Sequence, residues 1–344
     1  MNQPHALAAA LLAACTITTP AVLADEPTVN VTLDTYVRAE SDHMIQSVIA
    51  SFGGDIMEMT HTRTPVTADN NPVIRMNQDT FYSGTVLDLS QPVEVIMPDI
   101  GDRYMSMHIV NQDHYMFAEH ESGSYILTEE LVGTRFALIA FRTFVDANDP
   151  DDIALVHRIQ DSIVVKGGGE GPYDAPNWDL DDIRKARQAL NSLSELGWSS
   201  HYAFGSKEEV RAIDHLIGTG AGWAGLPRTA ALYQLGTVDA NDGVTAHTFT
   251  VKDVPVDAFW SITVYNQEGF LEANELGRNS YNNVTAAANE DGSITLNFGG
   301  CDDGRVNCIP ITEGWNYNIR AYQPQQSILD GSWTFPDIKP VSGQ

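Results

Sequence analysis

Residues 259–266 read Phe-Trp-Ser-Ile-Thr-Val-Tyr-Asn. Phe259, Ser261, Thr263 and Tyr265 alternate with Trp260, Ile262 and Val264, which is the two-residue period of a strand with one core face and one mixed face. Runs of the same kind lie on both sides. Upstream they are Gly84 to Leu89, Val93 to Met97, Arg103 to Val110, Tyr125 to Leu127 and Arg135 to Val145. Downstream from about Ala231 they are Ala246 to Val251, Ser293 to Phe298 and Asn316 to Tyr322. Short strands punctuated by turn residues predict a mainly β protein with two β-sandwich domains and a helical middle segment.

A leading helix is expected over Thr35 to Phe52, with Val37, Met44, Ile45, Val48, Ile49 and Phe52 largely on one face and Gly53-Gly54 as its stop. A second begins at Pro150 and carries Ile153, Val156, Ile159 and Ile163 on one stripe. Lys166 to Pro172, with four glycines, breaks that pattern and reads as a linker. Asp179 caps a helix bearing Ile183, Ala186, Leu190, Leu193 and Leu196. Ser206 with Glu209 makes a capping-box pattern for another, whose core residues would be Val210, Ile213 and Ile217. The organisation is then a signal peptide over 1–24, an N-terminal β-sandwich domain with its helix over 30–165, a linker and helical segment over 166–230, and a C-terminal β domain over 231–341.

Ala6 to Cys15 is apolar but too short to span a bilayer, and it suits the core of a signal peptide. Small residues at Val22-Leu23-Ala24 favour cleavage after Ala24, while Leu12-Ala13-Ala14-Cys15 is a lipoprotein-like alternative that would anchor the chain through Cys15. Either route leaves Cys301 and Cys308 as the cysteines of the body. In an exported, periplasmic or extracellular chain they should pair, closing a short polar loop and contributing about 2.5 kcal/mol by loop-closure entropy. The net charge is −27, from 46 acidic and 19 basic residues. Such a surface repels nucleic acid and anionic membranes, and spread along the whole chain it reads first as solvation. No later stretch is apolar and long enough to be a transmembrane segment.

Several signatures of catalysis are absent: there is no Gly-x-Ser-x-Gly elbow, no His-Glu-x-x-His and no Walker loop. Gly220 to Gly225 fits Gly-x-Gly-x-x-Gly, but a helix precedes it and Leu226-Pro227 follows, so it reads as a connector. Asp239 to Gly243 begins like a calcium loop, yet Thr250 stands where the bidentate Glu belongs, which favours an Asx-rich turn. His108 and His114 lie symmetrically about Asn111. A hairpin over Asn111 to Asp113 would bring them face to face, with His120 six residues further on. Three imidazoles could hold zinc with an open position, although histidines on unrelated strand faces are the simpler reading. No cofactor is therefore expected, with calcium or zinc as minor alternatives.

Two long regions resemble known families. Residues 77–93 (NQDTFYSGTVLDLSQPV) and 97–115 (MPDIGDRYMSMHIVNQDHY) resemble the domain of unknown function 1254. Residues 222–233 (GWAGLPRTAALY), 254–281 (VPVDAFWSITVYNQEGFLEANELGRNSY) and 327–341 (SILDGSWTFPDIKPV) resemble the domain of unknown function 1214. The pairing, known from bacterial exported proteins, implies two β domains, the second jelly-roll-like, without implying an activity. Gln78 replaces the Arg usual in the family's Asn-Arg-Asp-Thr segment.

Asn77, Asp79, Thr80 and Tyr82 form a dense polar run before a strand. Arg142 follows Leu138 and Ala140 on one strand face, and Arg320 shares a face with Asn318 and Tyr322. A half-buried Arg needs an acceptor, and Asp79 is the expected partner of Arg142. Tyr265 with Asn274, Arg278, Asn279 and Tyr281 of the adjoining loop adds amide, guanidinium and aromatic groups suited to a sugar or polar lipid head.

Three classes of function follow. The first is an exported, envelope-associated protein binding a small polar or amphipathic molecule between two β domains. The second is a hydrolase using Asp79 with Tyr82 or His108, or a His-bound metal, for acid-base work. The third is a structural or interaction scaffold, and a homo-oligomer stays open.

Overall fold

The computed structural model describes residues 27–51, 55–70 and 75–341. The expected signal peptide, Cys15 and the helix stop at Gly53-Gly54 lie outside the described residues.

Eight strands build the N-terminal sandwich: β1 (Thr60–His61), β2 (Thr80–Asp88), β3 (Val93–Met97), β4 (Met105–Asn111), β5 (Met116–Glu119), β6 (Gly123–Leu127), β7 (Phe136–Phe144) and β8 (Val164–Gly167). A five-stranded sheet in the order β1-β2-β7-β4-β5 covers a three-stranded sheet in the order β6-β3-β8. Met107, Ile109, Ile139 and Phe141 meet Val93, Val95 and Met97 between them. Burying each such side chain contributes about 1.5–3 kcal/mol. The period of two sends the alternate residues of β2, β7 and β4 to the opposite face. At one end of that face Val86, Val110, Phe136 and Leu138 pack on Ile45 and Ile49 of helix α1 (Tyr36–Ser51).

The C-terminal sandwich has β9 (Ala231–Gly236), β10 (His247–Val251), β11 (Trp260–Tyr265), β12 (Ser280–Asn282), β13 (Ile294–Phe298), β14 (Cys308–Ile309), β15 (Asn316–Tyr322) and β16 (Lys339–Pro340). They form four-stranded sheets in the orders β14-β13-β10-β16 and β12-β11-β15-β9. Trp260, Ile262 and Val264 enter the shared core with Phe249, Leu296, Phe298, Trp315 and Ile319, as the alternation in residues 259–266 requires. Cys301 and Cys308 are joined by a disulfide with Cα atoms 5.7 Å apart. It ties a single 3-10 turn to β14, which pairs in parallel with β13.

The remaining helices are α2 (Glu129–Val132), α3 (Pro150–Asp161), α4 (Leu180–Ser194), α5 (Ala212–Ala221) and α6 (Gln326–Leu329). Asp149 and Asp179 cap α3 and α4 through their carboxylates. Three expectations need correction. The expected linker, Lys166 to Pro172, begins inside β8, whose residues Val164 to Gly167 pair with β3. Its glycines are there for close approach: a Cβ on Gly169 would lie 2.3 Å from Asp88 Oδ2. Glu209 does accept from the Ser206 backbone N–H at 2.8 Å, but the turn it closes is followed by α5 only at Ala212. Ile213, Leu193 and Leu196 are exposed, because only one narrow stripe of each helix, through Leu190 and Ile217 for instance, is covered by its neighbours.

Helix α1 buries polar groups that a search for apolar stripes passes over. Asp42 accepts hydrogen bonds from Tyr173 Oη (2.6 Å), Trp178 Nε1 (2.9 Å) and Gln112 Nε2 (2.9 Å), and Glu40 accepts from Arg187 at 2.6 and 3.0 Å. No helix among the described residues is long and apolar enough to cross a membrane.

Candidate ligand site between the two sandwiches

Register defines the N-terminal half of the site. Tyr82 on β2, Arg142 on β7 and Ser106 on β4 stand opposite one another in a single cross-strand row. The next row of the same face carries Gly84, Ala140 and His108. Small residues beside Arg142 leave its guanidinium room to lie over the Tyr82 ring, 5.4 Å from the centroid. Arg142 Nη1 has no hydrogen-bond partner among the described residues, and neither has His108 Nε2.

The C-terminal half repeats the device. Asn282, Ser261, Arg320 and Tyr233 form one row across β12, β11, β15 and β9, and Ser280, Thr263 and Asn318 lie in the row beyond it. This is the mixed face of residues 259–266, and it faces the N-terminal sandwich. Phe259 stacks on Tyr322 at 4.2 Å and meets Phe144 edge-on at 5.0 Å, while Tyr104 touches both Phe259 and Tyr322. An aromatic seam thus closes one side of a polar layer buried between the two domains.

The segment before β2 crosses that layer. Arg320 donates to Thr263 Oγ1 (2.8 Å), the Arg75 carbonyl (2.9 Å) and Tyr265 Oη (2.7 Å). Asn77 Nδ2 donates to Tyr322 Oη at 2.8 Å, and Tyr265 Oη donates to the Met76 carbonyl at 2.8 Å. Asp79 Oδ1 accepts from Asn282 Nδ2 and Ser280 Oγ at 3.2 and 3.3 Å, and its Oδ2 is buried without a partner among the described residues. Asp79, Arg278 and Asn279 line a cleft of about 190 Å³ at this end of the interface.

Electrostatics separates the tyrosines. Burial raises the phenols of Tyr104, Tyr233 and Tyr322. Burial also opposes ionisation of Tyr82, but Arg142, aided by Arg320 and Asn77, outweighs it and holds that phenol below the usual tyrosine range. Burial works against the charge of Arg142 as well, and the surrounding phenols of Tyr82, Tyr233 and Tyr104 more than offset it. His108 is pushed well down, first by burial and then by Arg142 and His114, so its imidazole is neutral at neutral pH.

The residues expected to act together fall into separate places. Asp79, Arg278 and Asn279 share the cleft. Asn77, Thr80, Tyr265 and Arg320 belong to the buried network, where Asn77 Nδ2 also donates to Thr80 Oγ1. Asn274 and Asn279 spend their amides on the backbone of their own loop, at Arg278 and Glu272, and Tyr281 packs on the C-terminal core beneath Arg278. Asp79 is not the partner of Arg142. It precedes β2 beside Val145, on the opposite parity from the Tyr82 row, and its charge acts on Arg320 instead. His108 is also remote from it: the residues beside them, Val145 just past β7 and Ala140 within it, are five apart, about 16 Å along a strand. Sequence reasoning missed Tyr104, Ser106, Tyr233, Ser280 and Asn282. Polar residues interrupting the same strand face in two domains were the available signal.

The three histidines do not converge. The turn after β4 is centred on Asp113, because Asn111 Oδ1 accepts from the backbones of both Asp113 and Tyr115. The partner of His108 across β5 is therefore Ala118. Both nitrogens of His114 are engaged, Nδ1 with Thr219 Oγ1 and Nε2 with the Ala224 N–H. His120 packs against Tyr104. Asp242 binds the backbone of Val244 and Thr245, the Asx turn that was the simpler reading of that loop. Among the described residues no group of three or more His, Cys, Asp or Glu is arranged to hold a metal.

A family described as a Protein of unknown function (DUF1254) matches residues 56–167, and one described as a Protein of unknown function (DUF1214) matches residues 230–326. The chain belongs to the proteins that pair these two domains. The polar layer is thus the seam between the DUF1254 sandwich and the DUF1214 sandwich. No curated protein matches the chain. Among solved structures it is similar to the VPA0106 protein from Vibrio parahaemolyticus, with 17% identity over 90% of this chain and 98% of that one and a TM-score of 0.71. It also matches a putative uncharacterized protein from Burkholderia cenocepacia, with 14% identity over 85% of each chain and a TM-score of 0.48. The Vibrio likeness shows that the two-domain fold is shared.

Proposed function

We propose that this protein is an exported, envelope-associated binder that holds a small polar molecule, of sugar or polar lipid head-group type, between its DUF1254 and DUF1214 domains. The observation that carries this reading is the cleft around Asp79, Arg278 and Asn279, into which the two domains both contribute. A carboxylate oxygen without a partner among the described residues, beside the Arg278 guanidinium, offers the acceptor and donors that a hydroxyl-rich molecule satisfies. The cleft, at 190 Å³, is smaller than the roughly 300–1,000 Å³ of drug-sized pockets, which favours one ring or head group.

Export is supported by the Cys301–Cys308 bridge, which persists in oxidising compartments, and by the apolar N-terminal run. Cleavage after Ala24 gives a mature chain beginning at Asp25; lipidation at Cys15 is the alternative. Intact mass measurement of the protein from its native envelope separates the two. The binding reading is tested by thermal unfolding against neutral glycans and phospholipid head groups. A stabilising member should lose its effect in Asp79→Asn, and a panel without any stabilising member would remove the reading.

A further inference from the structure

We infer that the Arg142 layer is a second binding site, one that takes a small organic carboxylate carried on an aromatic or aliphatic body. Arg142, Tyr82, Ser106 and His108 do not line the Asp79 cleft, so the two readings are tested separately.

The first argument is charge. The guanidinium groups of Arg142 and Arg320 both lie between the sandwiches, and the charge of Asp79 acts on Arg320. Arg320 is also served by three oxygen acceptors, from Thr263, Arg75 and Tyr265. Arg142 meets phenols and keeps Nη1 without a partner among the described residues. Arg142 is therefore left without a carboxylate partner among the described residues, with Nη1 buried. A buried cation is costly until an anion answers it, and a carboxylate answers a guanidinium through two parallel hydrogen bonds.

The second argument is the company Arg142 keeps. The Tyr82 phenol and the Ser106 hydroxyl flank it in the same row, and His108, 1% exposed, has Nε2 without a partner among the described residues. Tyr82 and Ser106 can donate to the same oxygens, and His108 stands in the neighbouring row. Around them Phe144, Leu226, Phe259 and Tyr322 are apolar and buried, a setting for the hydrocarbon part of the molecule.

The third is access. Tyr82, Arg142 and Tyr233 keep partial exposure although both domains enclose them. Tyr82 lines a cleft of about 400 Å³ and Tyr104 one of about 460 Å³, so open space borders the layer at both tyrosines.

Calorimetric titration of the whole protein with benzoate, hexanoate, phenyl phosphate and the neutral isostere benzamide is the test. Binding of the carboxylates is expected, with benzamide silent and phenyl phosphate weaker. Arg142→Gln should weaken carboxylate binding by about tenfold or more, while Arg278→Gln in the other cleft leaves it unchanged. Equal binding of benzamide, no binding of either carboxylate, or unchanged binding in Arg142→Gln would overturn the proposal. If Arg142→Gln does not fold, the wild-type phenolate absorbance, with Tyr82→Phe as the blank, decides. Tyr82 faces Arg142, Ser106 and Tyr104 from its own domain, Asn77 from the segment before β2, and Arg320, Tyr233 and Tyr322 from across the layer. A carboxylate on Arg142 should move its ionisation to higher pH, and an unmoved titration overturns the proposal.

Discussion

Arg320 donates to the hydroxyl of Tyr265 at 2.7 Å, and that hydroxyl in turn donates to the Met76 carbonyl at 2.8 Å. Two adjacent strands of the DUF1214 sheet thus grip the segment that leads into the first long strand of the DUF1254 domain. The grip is made of polar groups, so it is directional in a way an apolar seam would not be. Tyr265→Phe keeps the ring and removes both bonds. It should lower unfolding free energy in urea by about 1–2 kcal/mol. An unchanged midpoint would mean that these bonds do not join the domains energetically.

Asp42 is the acceptor for three side-chain donors from two separate segments, Tyr173 and Trp178 from one and Gln112 from another. Asp42→Ala removes the acceptor of Tyr173 and Trp178 and leaves Gln112 only Tyr173 Oη at 3.4 Å, and should cost about 3 kcal/mol. Asp42→Asn keeps the shape but offers a single acceptor oxygen, so its loss should be smaller. Denaturant titration of both variants checks the order.

Asp88 receives a bidentate pair from Arg135, at 2.8 and 2.9 Å, together with the Ser90 N–H. The Arg135 hydrogen bonds outweigh burial and hold the carboxyl well below the usual range. A depressed folded value means that the contribution is complete above the unfolded value near pH 4 and is lost as pH falls toward the folded one. Asp88→Asn should therefore be less stable than wild type by about 2 kcal/mol at pH 7, with the gap closing below about pH 4. A gap independent of pH would show that packing against Gly169, and not the ion pair, sets the effect.

Reduction of the Cys301–Cys308 bridge should cost about 2.5 kcal/mol by loop closure, without unfolding the protein at room temperature. The paired substitution to Ser tests this in the absence of reductant. Because the bridge spans seven positions at the end of one sheet, near-native circular dichroism is expected in the double variant.

The strands were legible because each sandwich has a core between its sheets, and the strands that line it send alternate residues there. Residues 259–266 alternate as a sandwich strand does, and Trp260, Ile262 and Val264 of the core face lie in the C-terminal core; residues 136–144 are covered on both faces, so their apolar run shows little alternation. The helices were less so. Ile213 and Leu193 continue an apolar pattern yet are exposed, whereas Glu40, Ser41 and Asp42 are buried. Periodicity reports how many apolar residues a face carries; it does not report whether another element covers it.

The sequence by itself determined two β domains, a helical middle, a cysteine pair and a set of polar residues on strand faces, since all of these follow from local period, turn chemistry and residue type. Only the tertiary structure decided which of those polar residues meet. Asp79 goes to Asn282, two hundred and three positions away, and leaves Arg142 among tyrosines. The physical reason is that partner choice across an interface depends on how two sheets are set against each other. That setting comes from long-range packing, which leaves no periodic trace in the chain.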